Sequence, residues 1–220
     1  MKNLKLVKKK EADRWFLRNK KSFNDLNHET KKIISLIKNI NHKAEKILEI
    51  GCSNGHKLNQ YSKLLKSKLS YGIDLSKKAI DDGKKKYKDL KFLQISSLEI
   101  DKIKINFDFI ICGFFLYLLD RQLIFSQFDL IYKKLNKNGL MLIIDFDPLF
   151  KHSNKNFNKK NLISYKMSYD NFLVESGLFE ILYKFKYKTS TKDKKKFKSD
   201  SVSLTLFRKI NFQKSYPENV

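Results

Sequence analysis

Apolar residues along this chain come in short runs, and polar stretches with helical periodicity separate them. A short apolar run predicts a strand, and apolar positions spaced three and four apart predict an amphipathic helix. Strands that alternate with helices predict a parallel sheet, because each crossover helix returns the chain to the same edge. The strands predicted in this way are residues 46–50, 69–74, 90–95, 107–113 and 140–146, with helices at 55–65, 77–86 and 123–135.

The N-terminal part has a different pattern. Residues 11–39 show helical periodicity, which predicts helices that cover the sheet, and residues 1–10 are expected to form a loose basic arm.

The C-terminal part combines an irregular segment with regular elements. Residues 149–166 show little periodicity, and a long irregular segment inside a compact domain is usually functional. A helix at 168–176 and two strands at 179–188 and 202–208 are expected next. The lysine-rich turn at 192–198 is short, so the two strands should pair antiparallel.

Together these elements predict an α/β fold. We expect a Rossmann-like, doubly wound sheet of seven strands, mostly parallel with one antiparallel strand at its end, and helices on both faces. Residues 1–43 would form the N-terminal arm and capping helices, residues 44–210 the main domain and residues 211–220 a tail. With 220 residues and 41% hydrophobic content, the chain is long enough for one sizeable core.

The turn after the first strand has the strongest chemical signal. Gly51 and Gly55 allow positive φ and bring no Cβ, so that a ligand can approach the backbone closely. The free N–H groups at the start of the next helix point into the same space. A dinucleotide site is disfavoured, because the G-x-G-x-x-G pattern would place Ser53 and His56 at glycine positions.

The pattern acidic-x-Gly-x-small-x-Gly, formed by Glu49, Gly51, Ser53 and Gly55, resembles the first motif of the class I S-adenosylmethionine-dependent methyltransferases. Asp74 ends the next strand and matches the ribose-binding acid of that family, since a carboxylate accepts hydrogen bonds from two vicinal hydroxyls. The alternative is an ordinary turn followed by a solvated aspartate.

The resemblance implies S-adenosylmethionine as the cofactor and a set of contacts around it. Strand 107–113 is similar to the family's fourth strand, which implies that Gly113 and Phe114 lie beside the methionine moiety. Ser96 and Ser97 stand where the family often has an aspartate for the adenine. The implied cofactor contacts are Glu49, Gly51, Cys52, Ser53, Gly55, Asp74, Leu75, Ser96, Ser97 and Gly113.

Two residues of the first helix, Trp15 and Arg18, are further candidates for cofactor binding. In many methyltransferases of this class an N-terminal helix covers the cofactor, and an arginine can meet its carboxylate. The alternative is an amphipathic capping helix with Trp15 as a core anchor.

Catalysis needs little from the protein if the cofactor supplies an activated methyl group. The protein then aligns the acceptor and removes one proton from it. Asp145 and His152, just beyond the fifth strand, are the predicted catalytic residues, and Asp147 is a further candidate base. Each has a structural alternative: Asp147 before Pro148 suits a turn, Asp145 could orient a loop, and His152 could be merely exposed. Tyr117 stands where many relatives carry a histidine.

The net charge of +24 raises the question of nucleic-acid binding. Of the 47 basic residues only four are arginines, although bidentate phosphate and base recognition favours arginine. The lysines occur in every segment, as an A- and T-rich genome would dictate. We therefore expect no specific nucleic-acid partner, although phosphorylated acceptors would be attracted by the field.

Other classes of protein are disfavoured by simple features. No run of 18 apolar residues exists and the N-terminus lacks an apolar signal region, which favours a cytoplasmic protein without a membrane span. The two cysteines and four histidines support neither a disulfide framework nor a metal site.

Residues 145–172 resemble methyltransferases of bacterial surface-polysaccharide biosynthesis. The predicted function is methyl transfer to a small molecule, such as the hydroxyl of a sugar or nucleotide sugar. Methylation of RNA or of a ribosomal protein is the alternative, and a binding-only protein is a third reading.

Overall fold

A computed structural model describes residues 2–23, 25–155, 163–188 and 201–211 of the chain. Six helices and nine strands lie within these residues. The helices are α1 (Lys2–Asn19), α2 (His28–Asn39), α3 (His56–Leu65), α4 (Lys77–Lys86), α5 (Ile124–Lys134) and α6 (Asp170–Glu175). The strands are β1 (Lys46–Ile50), β2 (Leu69–Ile73), β3 (Lys91–Leu93), β4 (Phe107–Gly113), β5 (Leu135–Phe146), β6 (His152–Lys155), β7 (Ile163–Lys166), β8 (Phe179–Lys188) and β9 (Ser201–Lys209).

Seven strands form one sheet in the order β3-β2-β1-β4-β5-β9-β8. The first five are parallel, whereas β9 runs antiparallel to both of its neighbours, β5 and β8. The sheet therefore confirms the predicted fold class. The expected position of the reversed strand is wrong: β9 lies second from the edge, because the chain reaches the edge with β8 and then returns between β8 and β5.

Each face of the sheet is covered by helices, so that β1 is buried on both sides. Ile47 belongs to the core on the side of α2 and α3, together with buried Ile37 and Leu58. Leu48 belongs to the core on the side of α5 and α6. Successive side chains of a strand therefore point to opposite faces of the sheet. This rule shows below which face each site residue of the central strands occupies.

The prediction of a loose arm over residues 1–10 is wrong from Lys2 onward, because the helix α1 begins at that residue. The segment contains neither glycine nor proline, and lysine and leucine are good helix formers. Packing of α1 against α4 gives the helix the tertiary contacts that a short isolated helix lacks.

The irregular segment expected over 149–166 contains a two-stranded antiparallel hairpin, in which His152 pairs with Lys166 and Lys155 with Ile163. These strands were missed because β6 is polar on both faces and each strand has only four residues, too few for a clear alternation. Residues 156–162, as well as the lysine-rich turn at 192–198, lie outside the described residues. In the described part of the chain, no helix is both long and apolar enough for a membrane crossing.

The fifth strand begins earlier than expected, at Leu135 rather than residue 140. Its pairing with β4 shifts register between Phe107 and Phe109, and Asn138 has a positive φ of 58° at the irregularity. The predicted turn at Asn138 and Gly139 is therefore a distortion within a strand.

Candidate active site

The loop between β1 and α3, residues 51–55, is held against the end of β2. The N–H groups of Gly51 and Cys52 both donate to the carbonyl oxygen of Ile73, at 2.9 and 3.1 Å. Gly51 and Gly55 have φ values of +75° and +74°, in the left-handed region that favours glycine. We call residues 51–55 the cofactor turn.

Space as well as dihedral angle excludes side chains at both glycines of the cofactor turn. A Cβ added at Gly51 would lie 3.1 Å from the carbonyl oxygen of Gly113. A Cβ added at Gly55 would lie 2.5 Å from the ring of Phe92. The turn is thus packed directly on the end of β4 and on the middle residue of the edge strand β3.

Ser53 occupies the position where the family motif has its middle glycine. Its φ is +52°, so a non-glycine residue adopts the left-handed conformation here. Its Oγ is buried and has no hydrogen-bond partner among the described residues. A strained residue and an unsatisfied hydroxyl at one position are typical of a site that binds something.

Asp74 follows β2 and connects the cofactor turn to α4. Its Oδ2 accepts a hydrogen bond from the N–H of Ser53 at 2.9 Å, and its Oδ1 accepts one from the N–H of Ser76 at 2.8 Å. Burial raises the pKa of the Asp74 carboxyl, against these backbone donors. The N–H of Leu75 is a third backbone donor to this carboxylate. A carboxylate has about four acceptor positions, so room remains for a hydroxyl of a ribose.

Glu49 lies on β1 and is only 4% exposed. Its Oε2 has no hydrogen-bond partner among the described residues. Burial raises the pKa of this carboxyl from 4.5 to about 8, although the positive charge of Lys57 opposes the shift. A buried carboxyl oxygen without a protein partner calls for a donor or cation from a ligand.

The space beside Glu49 is open on the side of β4. The nearest atom to a Cβ added at Gly113 would be Oε1 of Glu49 at 3.8 Å, an ordinary contact distance. Glu49 and Gly113 share the face of the sheet that α3 covers, since their neighbours Ile47 and Ile111 belong to that core. The residues present therefore fit a cofactor with a positively charged methionine end.

The other predicted contact residues at this edge have structural partners. Ser96 caps the 3₁₀ helix Ser97–Lys102: its Oγ accepts from the N–H of Leu98 at 3.3 Å, and its own N–H donates to Glu99 at 3.0 Å. The carbonyl oxygen of Ser97 accepts from Gln127 at 3.2 Å.

Cys52 and Leu75 likewise contact neighbouring residues, in β2 and directly after β3. Cys52 is buried, and a Cβ added at Gly72 would lie 2.7 Å from its Sγ, so this side chain points into the core. The carbonyl oxygen of Leu75 accepts from Gln94 at 3.1 Å. The thiol of Cys52 is therefore not available to a ligand, and its N–H already donates to Ile73.

Trp15 and Arg18 are not brought to the cofactor turn by the contacts seen here. Trp15 is 42% exposed and stacks on Phe23, with ring centroids 6.2 Å apart. The guanidinium of Arg18 pairs with Glu11 at 3.0 Å. The alternative of Trp15 as a core anchor is wrong, because the next residue, Phe16, is the buried one at 2% exposure. Packing of α1 on α4 selects that face of the helix.

Asp145 lies on the opposite face of the sheet from Glu49. It lies two residues after Ile143 and so shares its face of the strand, and Ile143 belongs to the core on the α5 side. Asp145 is 1% exposed, and its carboxylate accepts hydrogen bonds from the N–H groups of Tyr117 and Phe146 at 3.2 and 2.7 Å. Burial raises the pKa of Asp145 from 3.8 to about 7. Its visible contacts hold the turn that carries Tyr117.

Asp147 is paired with lysines. It is 3% exposed and lies 2.8 Å from the ammonium of Lys184 and 3.5 Å from that of Lys186. Lys184 also pairs with Asp170 at the start of α6. This aspartate therefore ties the end of β5 to β8 and α6, which disfavours it as a base.

His152 begins the hairpin of β6 and β7. Its Nδ1 lies 3.0 Å from the carbonyl oxygen of Phe150. Because a carbonyl oxygen only accepts, Nδ1 must carry the proton in this bond, and Nε2 is then the basic nitrogen of the neutral ring. The hairpin packs through β7 on the short 3₁₀ helix Leu116–Leu118, which contains Tyr117.

An aromatic cluster at the ends of β4 and β5 was missed by sequence reasoning, apart from Phe114 and Tyr117 as individual positions. The ring of Phe146 contacts those of Phe114 and Tyr117 edge to face, with centroids 6.0 and 5.1 Å apart. The ammonium of Lys166 lies 4.1 Å from the centroid of Phe146. Phe114 has a φ of +50° and follows Gly113 directly. We call Phe114, Tyr117 and Phe146 the aromatic wall.

Comparison with solved structures supports the fold. N-methyltransferase NodS from Bradyrhizobium japonicum, in complex with S-adenosyl-L-homocysteine, is 16% identical with a TM-score of 0.63, and the match covers 95% of this chain and 98% of NodS. The O-methyltransferase of a trans-AT polyketide synthase from Brevibacillus brevis is 15% identical with a TM-score of 0.65, and the match covers 85% of this chain and 74% of that chain. At these identities the likeness shows the fold.

Sequence comparison gives one curated relative and one family. An uncharacterised protein of Rickettsia prowazekii is 32% identical over 100 residues, which cover 43% of this chain and 40% of that relative. The family model described as a methyltransferase domain matches residues 41–199, most of the chain. The cofactor turn, Glu49 and Asp74 all lie within that match. This chain therefore belongs to the methyltransferase-domain family, the class I S-adenosylmethionine-dependent methyltransferases.

Proposed function

We propose that this protein transfers a methyl group from S-adenosylmethionine to a hydroxyl of a small molecule, and that the acceptor is a sugar or nucleotide sugar. The observation that carries the proposal is the aromatic wall, which directly follows Gly113 at the end of β4. We infer that it offers apolar ring surface beside the space that borders Glu49, because its first member, Phe114, directly follows Gly113.

Residues of the cofactor turn and the two acids would hold the cofactor. Glu49 would meet its positively charged end, Asp74 the ribose hydroxyls, and Gly113 would leave room for the methionine chain. The bound cofactor supplies a methyl group on a positive sulfonium, which is already activated for transfer. The protein's task is to align the acceptor and to exclude water.

The acceptor class follows from the surface beside this space. Sugar rings have apolar C–H faces that pack on aromatic rings, and Phe114 is 36% exposed. The net charge of +24 attracts phosphorylated compounds, including nucleotide sugars. The resemblance of residues 145–172 to enzymes of surface-polysaccharide biosynthesis points in the same direction.

His152 is the residue to which we assign the removal of the hydroxyl proton. Its Nδ1 is oriented by the carbonyl oxygen of Phe150, and in that tautomer Nε2 is the ring nitrogen that accepts a proton. Asp145 is better suited to hold the Tyr117 turn, because backbone N–H groups occupy its carboxylate. A general base contributes about 10²- to 10⁴-fold to a rate.

The test is methyl transfer from S-adenosylmethionine to a panel of nucleotide sugars, free sugars and RNA, followed by mass spectrometry of the acceptors. We expect methylated sugar and about a hundredfold lower kcat for His152→Ala, with unchanged cofactor affinity. His28→Ala, an exposed histidine at the start of α2, is the matched control. Methylation of RNA alone would replace this proposal by the alternative function. Full turnover by His152→Ala would show that catalysis uses positioning without a base.

A further inference from the structure

One face of the N-terminal helix is bonded to the helix that follows the ribose-binding acid. Asp13, Phe16 and Lys20 are spaced three and four residues apart, so they lie on the same side of α1 and its 3₁₀ extension Lys20–Ser22. Phe16 is buried at 2% exposure, and α1 packs against α4. Asp13 and Lys20 flank this buried ring with polar contacts to α4.

The first set of contacts runs from Asp13 to the cofactor turn. Oδ1 of Asp13 accepts from the hydroxyl of Ser76 at 2.7 Å and from the N–H of Lys78 at 3.0 Å. Ser76 is 1% exposed and its N–H donates to Asp74. Asp74 in turn accepts from the N–H of Ser53. Ser76 and Asp74 therefore connect Asp13 to Ser53, the central residue of the cofactor turn.

A second set of contacts reaches the same turn from Lys20. The ammonium of Lys20 lies 2.9 Å from Asp82 of α4. Asp82 accepts a hydrogen bond from Nδ2 of Asn54 at 2.8 Å, and Asn54 is buried at 3% exposure. Neighbouring residues of the turn, Ser53 and Asn54, are thus each connected to α1 through α4.

We propose that Asp13 and Lys20 are positioning residues for the cofactor turn, so that docking of α1 and occupation of the turn by the cofactor stabilise each other. This rests on the cofactor site of the proposed function. Asp13 fixes Ser76, Ser76 fixes the carboxylate of Asp74, and that carboxylate must face the ribose hydroxyls. Because coupling between two sites is reciprocal, the cofactor must also hold α1 in place.

The variants isolate the hydrogen bonds from the charge. Asp13→Ala removes the acceptor, whereas Asp13→Asn keeps a carbonyl oxygen for Ser76 and Lys78. Calorimetry with S-adenosylmethionine should show about tenfold weaker binding for Asp13→Ala and near wild-type binding for Asp13→Asn. Lys20→Ala should weaken binding about threefold, since its ion pair is partly exposed.

Matched controls come from the same two elements. Asp81→Ala removes another carboxylate of α4, which forms an exposed pair with Lys77. Lys21→Ala removes the exposed lysine next to Lys20. Both controls should bind the cofactor as the wild type does. Wild-type affinity in Asp13→Ala, or equal losses in Asp13→Ala and Asp81→Ala, would overturn the proposal.

A second measurement needs no cofactor and no activity. Hydrogen exchange of the ligand-free protein should be faster over residues 51–55 in Asp13→Ala than in Asp13→Asn, with unchanged exchange in β4 and β5. In the wild type, S-adenosylmethionine should slow exchange in residues 9–19. Uniformly faster exchange would indicate lost global stability and overturn the proposal. A wild type that binds no cofactor would refute the cofactor site, and the exchange of residues 51–55 would still decide whether the contacts couple α1 to the turn.

Discussion

Binding of S-adenosylmethionine is expected to release a proton from Glu49. Burial raises the pKa of this carboxyl to about 8, so the free protein holds it mainly protonated at neutral pH. The cofactor carries positive charge, and a buried carboxyl oxygen without a protein partner gains most when it ionises beside that charge. The ionised form therefore binds the cofactor better.

The size of the effect follows from the pKa. Below about pH 8 each pH unit reduces the ionised fraction about tenfold, which is about 1.4 kcal/mol of binding free energy. Between about pH 8 and pH 6 the apparent Kd should therefore rise about fiftyfold, because half of the carboxyl is already protonated at pH 8, and well above pH 8 it should level off.

The assay is calorimetry at several pH values in buffers of different ionisation enthalpy, which counts the protons released. Near pH 7 the wild type should release close to one proton. Glu49→Gln keeps the shape of the side chain and should lose this release. We attribute any remaining change of Kd with pH to Asp74, because burial also raises the pKa of that carboxyl. Asp129→Asn, an exposed carboxylate of α5, serves as the control. The reasoning is refuted if Glu49→Gln retains the full pH dependence.

Four further changes test other parts of the site. Asp74→Ala should cost about 1–3 kcal/mol of cofactor binding in the same calorimetry, because the ribose loses a charged partner; equal affinity would remove that role. Ser53→Gly should raise the free energy of unfolding by about 1 kcal/mol in urea, since it relieves a φ of +52°; no gain would show that the turn is unstrained. Gly55→Ala should lower it by about 2 kcal/mol or more, because the new Cβ meets the Phe92 ring; unchanged stability would contradict the packing. Nucleic acid should bind weakly with a steep salt dependence in filter assays, whereas nanomolar RNA binding at physiological salt would contradict the dispersed-lysine interpretation.

The meeting of the turn after β1 with the acid after β2 could be predicted from sequence because it depends on backbone position. A glycine-rich turn after β1 and an acid after β2 meet wherever two parallel strands are neighbours, and Glu49, Gly51 and Asp74 needed no knowledge of side-chain orientation. The central strands could also be predicted, because each is a short apolar run that can be recognised without knowledge of distant contacts.

The acceptor half could not be predicted as well, because it depends on orientation and on distant contacts. Asp145 ends a strand beside the site, yet it faces the other side of the sheet from Glu49. The bond between Asp13 and Ser76 joins residues 63 positions apart. Strand β6 has no apolar face and each hairpin strand has only four residues, so periodicity gives little signal for them.

The hairpin of β6 and β7 forms its own two-stranded sheet and shares no ladder with the seven-stranded sheet in the described part of the chain. Mutations in these strands therefore leave the main-chain pairing of the cofactor half intact. Under the proposed function the hairpin carries the base, His152, so acceptor preference would be free to diverge at a different rate from cofactor use. Exchanging this hairpin between relatives would then test whether acceptor choice changes while cofactor affinity stays the same.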